Sequence, residues 1–336
     1  MKKMLAALLA LTMTVGLYTG CTTGSGDEES APPTDTSGEA PAAPAQETED
    51  GNIGSGKKVI MTISNQQNEF IVEMGQHFQD VGAEYGYDVQ LLDANLDPTN
   101  QISQIETAIS QGASAIFVEP CSFDGLTTGL QAAAEAGIPV FTIHNGVSST
   151  DLITSAIRVD VKQGGALKME QAVKDIGGKG DICVMTGTLG QDTTNQICGG
   201  YEEVLNQNPD VNVIFEGAGN WGAVDAAPLA ENWLASGKTI DAIVCNNDGM
   251  ALGVLPVLKT ADMVGQIKLY GLDATPEGLQ AVKKGEMNAT IFVDSHAEIV
   301  AAFDMVNTLL SGGEVEKEFV VPAVLVTADN VDEYIK

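Results

Sequence analysis

Arginine is almost missing from this chain: Arg158 is the single one among 336 residues, and lysine and arginine together number 16 against 46 acids. The resulting net charge of −30 repels phosphate, so nucleic acid and anionic membrane surfaces are poor partners, no nucleic acid is expected, and an anionic ligand is disfavoured. Solubility outside the cell accounts for most of that acidity. Histidine is equally scarce, with only His77, His144 and His296, and neither a G-x-S-x-G elbow nor an HExxH pair occurs. Without a nucleophile and base, or a ligand pair, the chain is expected not to be an enzyme. The cysteines after residue 21 are Cys121, Cys183, Cys198 and Cys245, which form no CxxC or Cys/His spacing, so no metal is expected and free thiols are the ordinary reading, with a bridge left open. Long apolar runs are also lacking, the longest being shorter than the roughly 20 residues that span a bilayer.

That apolar run is N-terminal. Lys2 and Lys3 precede Met4 to Val15, then Leu17-Tyr18-Thr19-Gly20-Cys21, an export signal with small residues before a cysteine. It resembles a bacterial lipoprotein signal, with Tyr18 where leucine is usual, and implies residues 1–20 as signal peptide and lipid attachment at Cys21, hence an extracytoplasmic protein anchored to the cell membrane. Residues 21–56 are rich in Gly, Ser, Thr, Pro, Ala and acid, and have no base. Such a composition cannot offset its ordering entropy and reads as a disordered tether spanning roughly 30 Å.

From Lys57 onward short apolar runs alternate with amphipathic stretches, the pattern of βα units around a parallel sheet. Strands are expected at 58–64, 87–93, 115–119 and 139–143, with Gly86, Gly112 and Gly137 ending the helices between them. A second series holds strands at 181–186, 211–216, 241–246, 268–272 and 288–293. The helix from His296 and the run FVVPAVLV then remain, and complete the first domain before crossing back.

Two glycine patterns imitate nucleotide sites. The run Gly51 to Lys57 resembles a phosphate loop but precedes a strand and has Lys58 where Ser or Thr would hold magnesium. Gly217-Ala-Gly219-Asn-Trp221-Gly222 lies on the second strand of its domain and carries an indole that would crowd a pyrophosphate. No cofactor is therefore expected. Asp93-Ala-Asn95-Leu-Asp97 starts like a calcium loop, but Pro98 and Gln104 replace the turn glycine and the bidentate Glu.

The strand ends are rich in groups that suit a neutral polyol. Ser64 closes the first strand and leads through Asn68 to Phe70, and His144 and Asn145 close the fourth. In the second series Gln191, Asp192, Thr193 and Asn195 follow the first strand, Asn220 and Trp221 the second, Asn247 the third and Asp273 the fourth. Ligands of open parallel sheets bind beyond these ends; hydroxyls need paired donors and acceptors, and the C–H faces of a sugar pack on aromatics. The bland alternative makes Asp192, Asp248 and Thr275 helix N-caps.

The stretches ISNQQNEFIVEMGQHFQ, LLDANLDPTNQISQIETAISQGASAIFVEP, AAEAGIPVFTIHN, CNNDGMALGVL and YGLDATPEGLQAVKKGEMNATI together resemble the sugar-binding proteins of bacterial ABC importers, notably the ribose and glucose/galactose binders. The resemblance implies a periplasmic-binding-protein type I fold: two similar doubly wound α/β lobes, 57–159 plus 295–321 and 160–294 plus 322–336, joined by a three-strand hinge. It also implies that Phe70 and Trp221 sandwich the ligand, that Asn68, Asn247 and Asp273 bind its hydroxyls, and that the hinge contributes near Asp294. The expected ligand is a small neutral carbohydrate or polyol, delivered by a monomeric protein to an ABC permease. A sensing module for a chemoreceptor or sensor kinase, and a non-sugar ligand, are the alternatives. Three departures from the family bear on the ligand. His144-Asn145 replaces the Asp-Arg of ribose binders, Ile197 or Cys198 replaces a helix arginine, and Val293 replaces a hinge amide. They point away from ribose, towards a six-membered ring, a deoxy sugar or a cyclitol.

Overall fold

The computed structural model describes residues 53–335. The signal peptide, lipid attachment at Cys21 and most of the tether lie outside the described residues.

The chain first builds β1 (Lys58–Ile63), α1 (Glu69–Glu84), β2 (Asp88–Asp93), α2 (Pro98–Ser110), β3 (Ala115–Val118), α3 (Thr127–Glu135), β4 (Val140–Ile143) and β5 (Ser155–Val159). It then builds α4 (Val161–Asp175), β6 (Gly180–Thr186), α5 (Asp192–Gln207), β7 (Val211–Ala218), α6 (Ala223–Ala235), β8 (Ala242–Cys245) and α7 (Asp248–Thr260). The elements β9 (Lys268–Tyr270), α8 (Pro276–Lys283), β10 (Ala289–Phe292), α9 (Ser295–Leu310), β11 (Glu318–Val321) and β12 (Val324–Thr327) follow.

One sheet runs β11-β5-β4-β3-β1-β2 and the other β12-β10-β9-β8-β6-β7, the same order twice. Each is flanked by helices, which gives two α/β lobes. The central strands β3, β4 and β8 are buried along their whole length, which is why each is a continuous apolar run instead of an alternating one. In α1, Phe70, Ile71, Met74, Phe78 and Val81 fall on one face at helical spacing and are buried. The helix is closed by Gly86 at φ +75°, where a side chain would be strained.

Two features depart from the sequence expectation. The strand β5 was not foreseen, because Arg158 interrupts its short apolar run. The run FVVPAVLV divides at Pro322 into β11, parallel to β5, and β12, antiparallel to β10. Geometry forces the second direction: β11 ends on the side towards which the strands of both lobes point, so a strand entering the other lobe from there must run outward. The chain thus passes between sheets three times, after β5, after β10 and between β11 and β12. The returning helix α9 packs on α1 and on the first sheet, where the Phe303 ring lies 5.0 Å from that of Phe117.

Candidate functional site

The carboxyl ends of both sheets face one another across a narrow, polar-lined cavity of about 30 Å³. From the first lobe, Ser64, Asn68 and Phe70 come from the β1–α1 turn, Glu119 from the end of β3, and His144 and Asn145 from the end of β4. The second lobe contributes Gln191 and Thr193 at the start of α5, Trp221 after β7, and Leu272 and Asp273 after β9.

Local backbone conformation aims several of these groups. His144, Trp221 and Asp273 have φ of +64°, +64° and +115°, a costly region for residues with a Cβ. Asn68 caps α1 by accepting the Phe70 N–H at 3.0 Å, which fixes the ring at the helix start. The Phe70 ring in turn lies 4.8 Å from the His144 ring. Opposite, the Trp221 indole Nε1 donates to Gln191 Oε1 at 2.5 Å. Its ring lies against Gly187, where a Cβ would stand 2.1 Å away, so only glycine admits the indole there.

A continuous network joins the lobes. The Ser64 N–H donates to Glu119 Oε2 at 2.6 Å, and Asn145 Nδ2 donates to Glu119 Oε1 and to the Pro120 carbonyl. Thr193 Oγ1, from the other lobe, donates to Asn145 Oδ1. Asn145 therefore lines the cavity but uses its amide to tie the lobes together.

Of the residues singled out from sequence, Ser64, Asn68, Phe70, His144, Asn145, Trp221 and Asp273 come together on the cavity wall. Four others do not line it. Asn247 caps α7, accepting from Met250 N at 3.0 Å and donating to the Trp221 carbonyl at 3.2 Å, so it holds the tryptophan turn. Asp192 opens α5 beside Gly146 and accepts from Gln196 at 2.6 Å. Asn195 is exposed, and Asp294 caps α9 through Ala297 N at 2.9 Å. The cap reading holds for Thr275, which accepts from Gly278 N. It fails for Asp248, a fully buried carboxylate that receives Thr290 Oγ1 at 2.7 Å and Thr275 N at 2.9 Å.

Sequence reasoning passed over Glu119, Glu298 and Lys168. Glu119 had a readable signal, since it ends a four-residue apolar strand just as the other mouth residues do. Glu298 and Lys168 had none, because each sits on a helix face whose burial depends on distant strands. Glu298 lies 3.6 Å from His144 Nδ1, too far for a hydrogen bond but close enough for strong attraction inside a protein. Lys168 is wholly buried, donates to the Cys245 carbonyl at 2.5 Å and stands over the Tyr201 ring.

Burial dominates the electrostatics. It raises the pKa of Glu119 against the opposing Ser64 and Asn145 hydrogen bonds, and pushes Asp248 up to about 7. Asp273 rises through burial and the neighbouring Asp248, and Glu298 through burial. Lys168 is lowered to about 8 by burial. Burial alone would lower His144, but Glu298, Glu119 and Asp273 outweigh it and raise it. The thiols are free, and burial pushes Cys121, Cys183 and Cys245 up to about 12, so they are not nucleophiles.

Residues 59–314 match the family model described as a periplasmic binding protein domain. The chain belongs to that family. The binding protein is 33% identical over 246 residues to a xylitol-binding protein of Mycolicibacterium smegmatis, covering 72% of this chain and 69% of the relative. It is 31% identical over 255 residues to a putative rhizopine-binding protein of Rhizobium meliloti, covering 74% and 82%. Among solved structures, a solute-binding protein of an ABC transporter from Bacillus halodurans with bound myo-inositol superposes with TM-score 0.80 at 30% identity, covering 86% and 99%. A myo-inositol binding protein of Caulobacter gives TM-score 0.80 at 27% identity, covering 84% and 97%. Its fold is thus the type I periplasmic-binding-protein fold, and it is a sugar-binding-type, extracytoplasmic solute-binding protein of the ABC importer class, not an enzyme.

Proposed function

We propose that the binding protein captures a small polyhydroxylated molecule (a pyranose, deoxy sugar, polyol or cyclitol) between its lobes and presents it to an ABC permease. The observation that carries this reading is the cavity itself, walled by Phe70 from one lobe and Trp221 from the other, with Asn, Ser, His and carboxylate groups around them. Rings of this kind cover the C–H faces of a sugar or cyclitol while the polar groups reach its hydroxyls. The xylitol and myo-inositol named for its relatives support the same class.

In this reading residues 57–159 plus 295–321 form one rigid lobe and 160–294 plus 322–336 the other, and they turn about the three passages between sheets. Ligand touches both faces only when the lobes are closed, so it favours that form by its differential affinity. Lipid attachment at Cys21 and the acidic tether after it would keep the lobes within reach of a permease. Titration calorimetry against aldohexoses, pentoses, deoxy sugars, xylitol and inositols tests the ligand class. Binding of at least one at micromolar affinity is expected, and heat from none of them would sink the reading.

A further inference from the structure

A buried pair stands behind the cavity wall. Glu298, on the first turn of α9, is wholly buried, and its Oε2 faces His144 Nδ1 at 3.6 Å. Neither Glu298 oxygen nor His144 Nδ1 has a hydrogen-bond partner of normal length among the described residues, and an unpaired carboxylate is costly to bury. A proton held between the two satisfies both at once. The groups facing the pair are Glu119 and Asp273 beside His144 and Asp294 beside Glu298, all acids, so none opposes a proton there. Of the bases nearby, His77 on α1 lies against Ser295 Oγ at 3.0 Å and the His296 ring, and Arg158 on β5 pairs with Glu318 at 2.6 Å. The helix start favours the negative end of the pair on Glu298, and hence the proton on the imidazole side.

The wall itself is short of donors. Asn145 Nδ2 is committed to Glu119 and Pro120, Thr193 Oγ1 to Asn145, and Trp221 Nε1 to Gln191. The Ser64 hydroxyl, the Asn68 and Gln191 amides and His144 remain to donate, with neither lysine nor arginine on the wall. Of these only His144 can carry charge. With Nδ1 turned to Glu298, Nε2 lies across the ring on the cavity side, and the Phe70 ring 4.8 Å away holds the imidazole there. When a proton sits between Nδ1 and Glu298, the remaining imidazole hydrogen is on Nε2, whichever partner holds the shared one.

We infer that Glu298, which does not line the cavity, is a positioning residue for ligand binding: it holds a proton against His144 Nδ1, so that Nε2–H faces the cavity as a charge-assisted donor to an oxygen of the polyol. Such bonds are about twice as strong as neutral ones, which offsets the scarcity of donors on the wall. Loss of the shared proton leaves Nδ1–H on the Glu298 carboxylate and turns Nε2 into an acceptor, so the donor is present at low pH and lost as pH rises. Burial lowers the His144 pKa, but Glu298 first, then Glu119 and Asp273, outweigh it, and the loss therefore falls above the ordinary value of 6.5. The inference rests on the polyol reading for the acceptor that His144 meets; the protonation of His144 does not depend on that reading.

Long-range proton–nitrogen correlation NMR on the ligand-free full chain, labelled at histidine nitrogen, tests the protonation, and His144→Asn identifies the signal among His77, His144 and His296. Nε2 of His144 should read as N–H at pH 7. A bare Nε2 overturns the inference, and needs no folded Glu298 variant. In Glu298→Gln the His144 titration should move down by about one pH unit or more; an unchanged titration overturns it as well. Calorimetry from pH 6 to 9 with the sugars and polyols already named then reads the function. Whichever binds should bind Glu298→Gln about tenfold more weakly at pH 6. Wild-type affinity should fall over the pH range in which NMR shows the proton leaving, while that of the variant stays level across it. Both proteins keep the hydrogen bond between Glu69 and Glu277, so the difference between their profiles reports His144. Equal affinities or parallel profiles overturn the inference and leave the polyol reading intact. If no compound of the panel binds the wild type, the polyol reading falls and takes the donor role of His144 with it.

Discussion

The two faces of the cavity are built differently. On the first-lobe face Ser64, Glu119, Pro120 and Asn145 are already bonded to one another, so their positions do not depend on the second lobe. The second-lobe face is a large indole held at its turn by Gln191 and Asn247, with Asp273 on a strained backbone above the buried Asp248. Only the second-lobe residue Thr193, through its hydroxyl bond to Asn145, reaches this prebuilt face from the other side. On the proposed function the first lobe would capture ligand, and the second would decide whether the closed form persists.

The sharpest way to break this division is to remove the support of the second face. Asp248→Ala leaves the Thr275 N–H, the Thr290 hydroxyl and the Lys168 ammonium without their buried carboxylate. It should cost about 3–5 kcal/mol of unfolding stability in urea melts; a loss below about 1 kcal/mol would show that the second face stands without it. Next in size, Trp221→Ala should weaken any ring ligand about 100-fold, roughly 3 kcal/mol, in calorimetry. Unchanged affinity would remove Trp221 from the site.

A smaller effect concerns pH. Glu69 at the start of α1 meets Glu277 of α8 across the cleft, and its pKa is pushed up to about 7 by burial, then by the hydrogen bond with Glu277 and the charges of Glu277, Glu73 and Asp248. The closed form thus holds that proton more tightly than the open form, whose carboxyl titrates near the ordinary value. This contribution to closure is complete below roughly pH 4 and is lost as pH rises through about 7. Affinity should show a several-fold component of weakening between pH 6 and 8 that Glu277→Gln removes; identical profiles for the two proteins would exclude the pair. The smallest expected change is Thr193→Val, which deletes the hydroxyl bond to Asn145. It should cost about 1 kcal/mol, read in stopped flow as a severalfold faster dissociation with association unchanged. An effect on association alone would contradict the assignment of Thr193 to closure.

Much of the fold could be read locally. The burial of β3, β4 and β8 on both faces makes each a short apolar run, and Gly86 and its counterparts end helices by adopting positive φ, so alternation and boundaries are written in neighbouring residues. The residues at strand ends were legible for the same reason, because β topology delivers them to one edge. Bonding partners were less so: that Asn247 caps α7 and that Asn145 accepts from Thr193 of the other lobe follow from what faces each side chain.

By itself the sequence determined the repeating βα architecture, the acidic field and the polar mouths of two sheets, because these follow from periodicity, composition and chain-local turns. Tertiary structure decided which mouths oppose each other, that β12 runs antiparallel, and that Glu119, His144, Glu298, Asp248 and Lys168 form one buried charge cluster. His144 and Glu298 stand 154 positions apart in the chain, and Asp248 meets Thr290 across 42. No local pattern encodes such pairs; they exist because separate helices and strands are packed against one core.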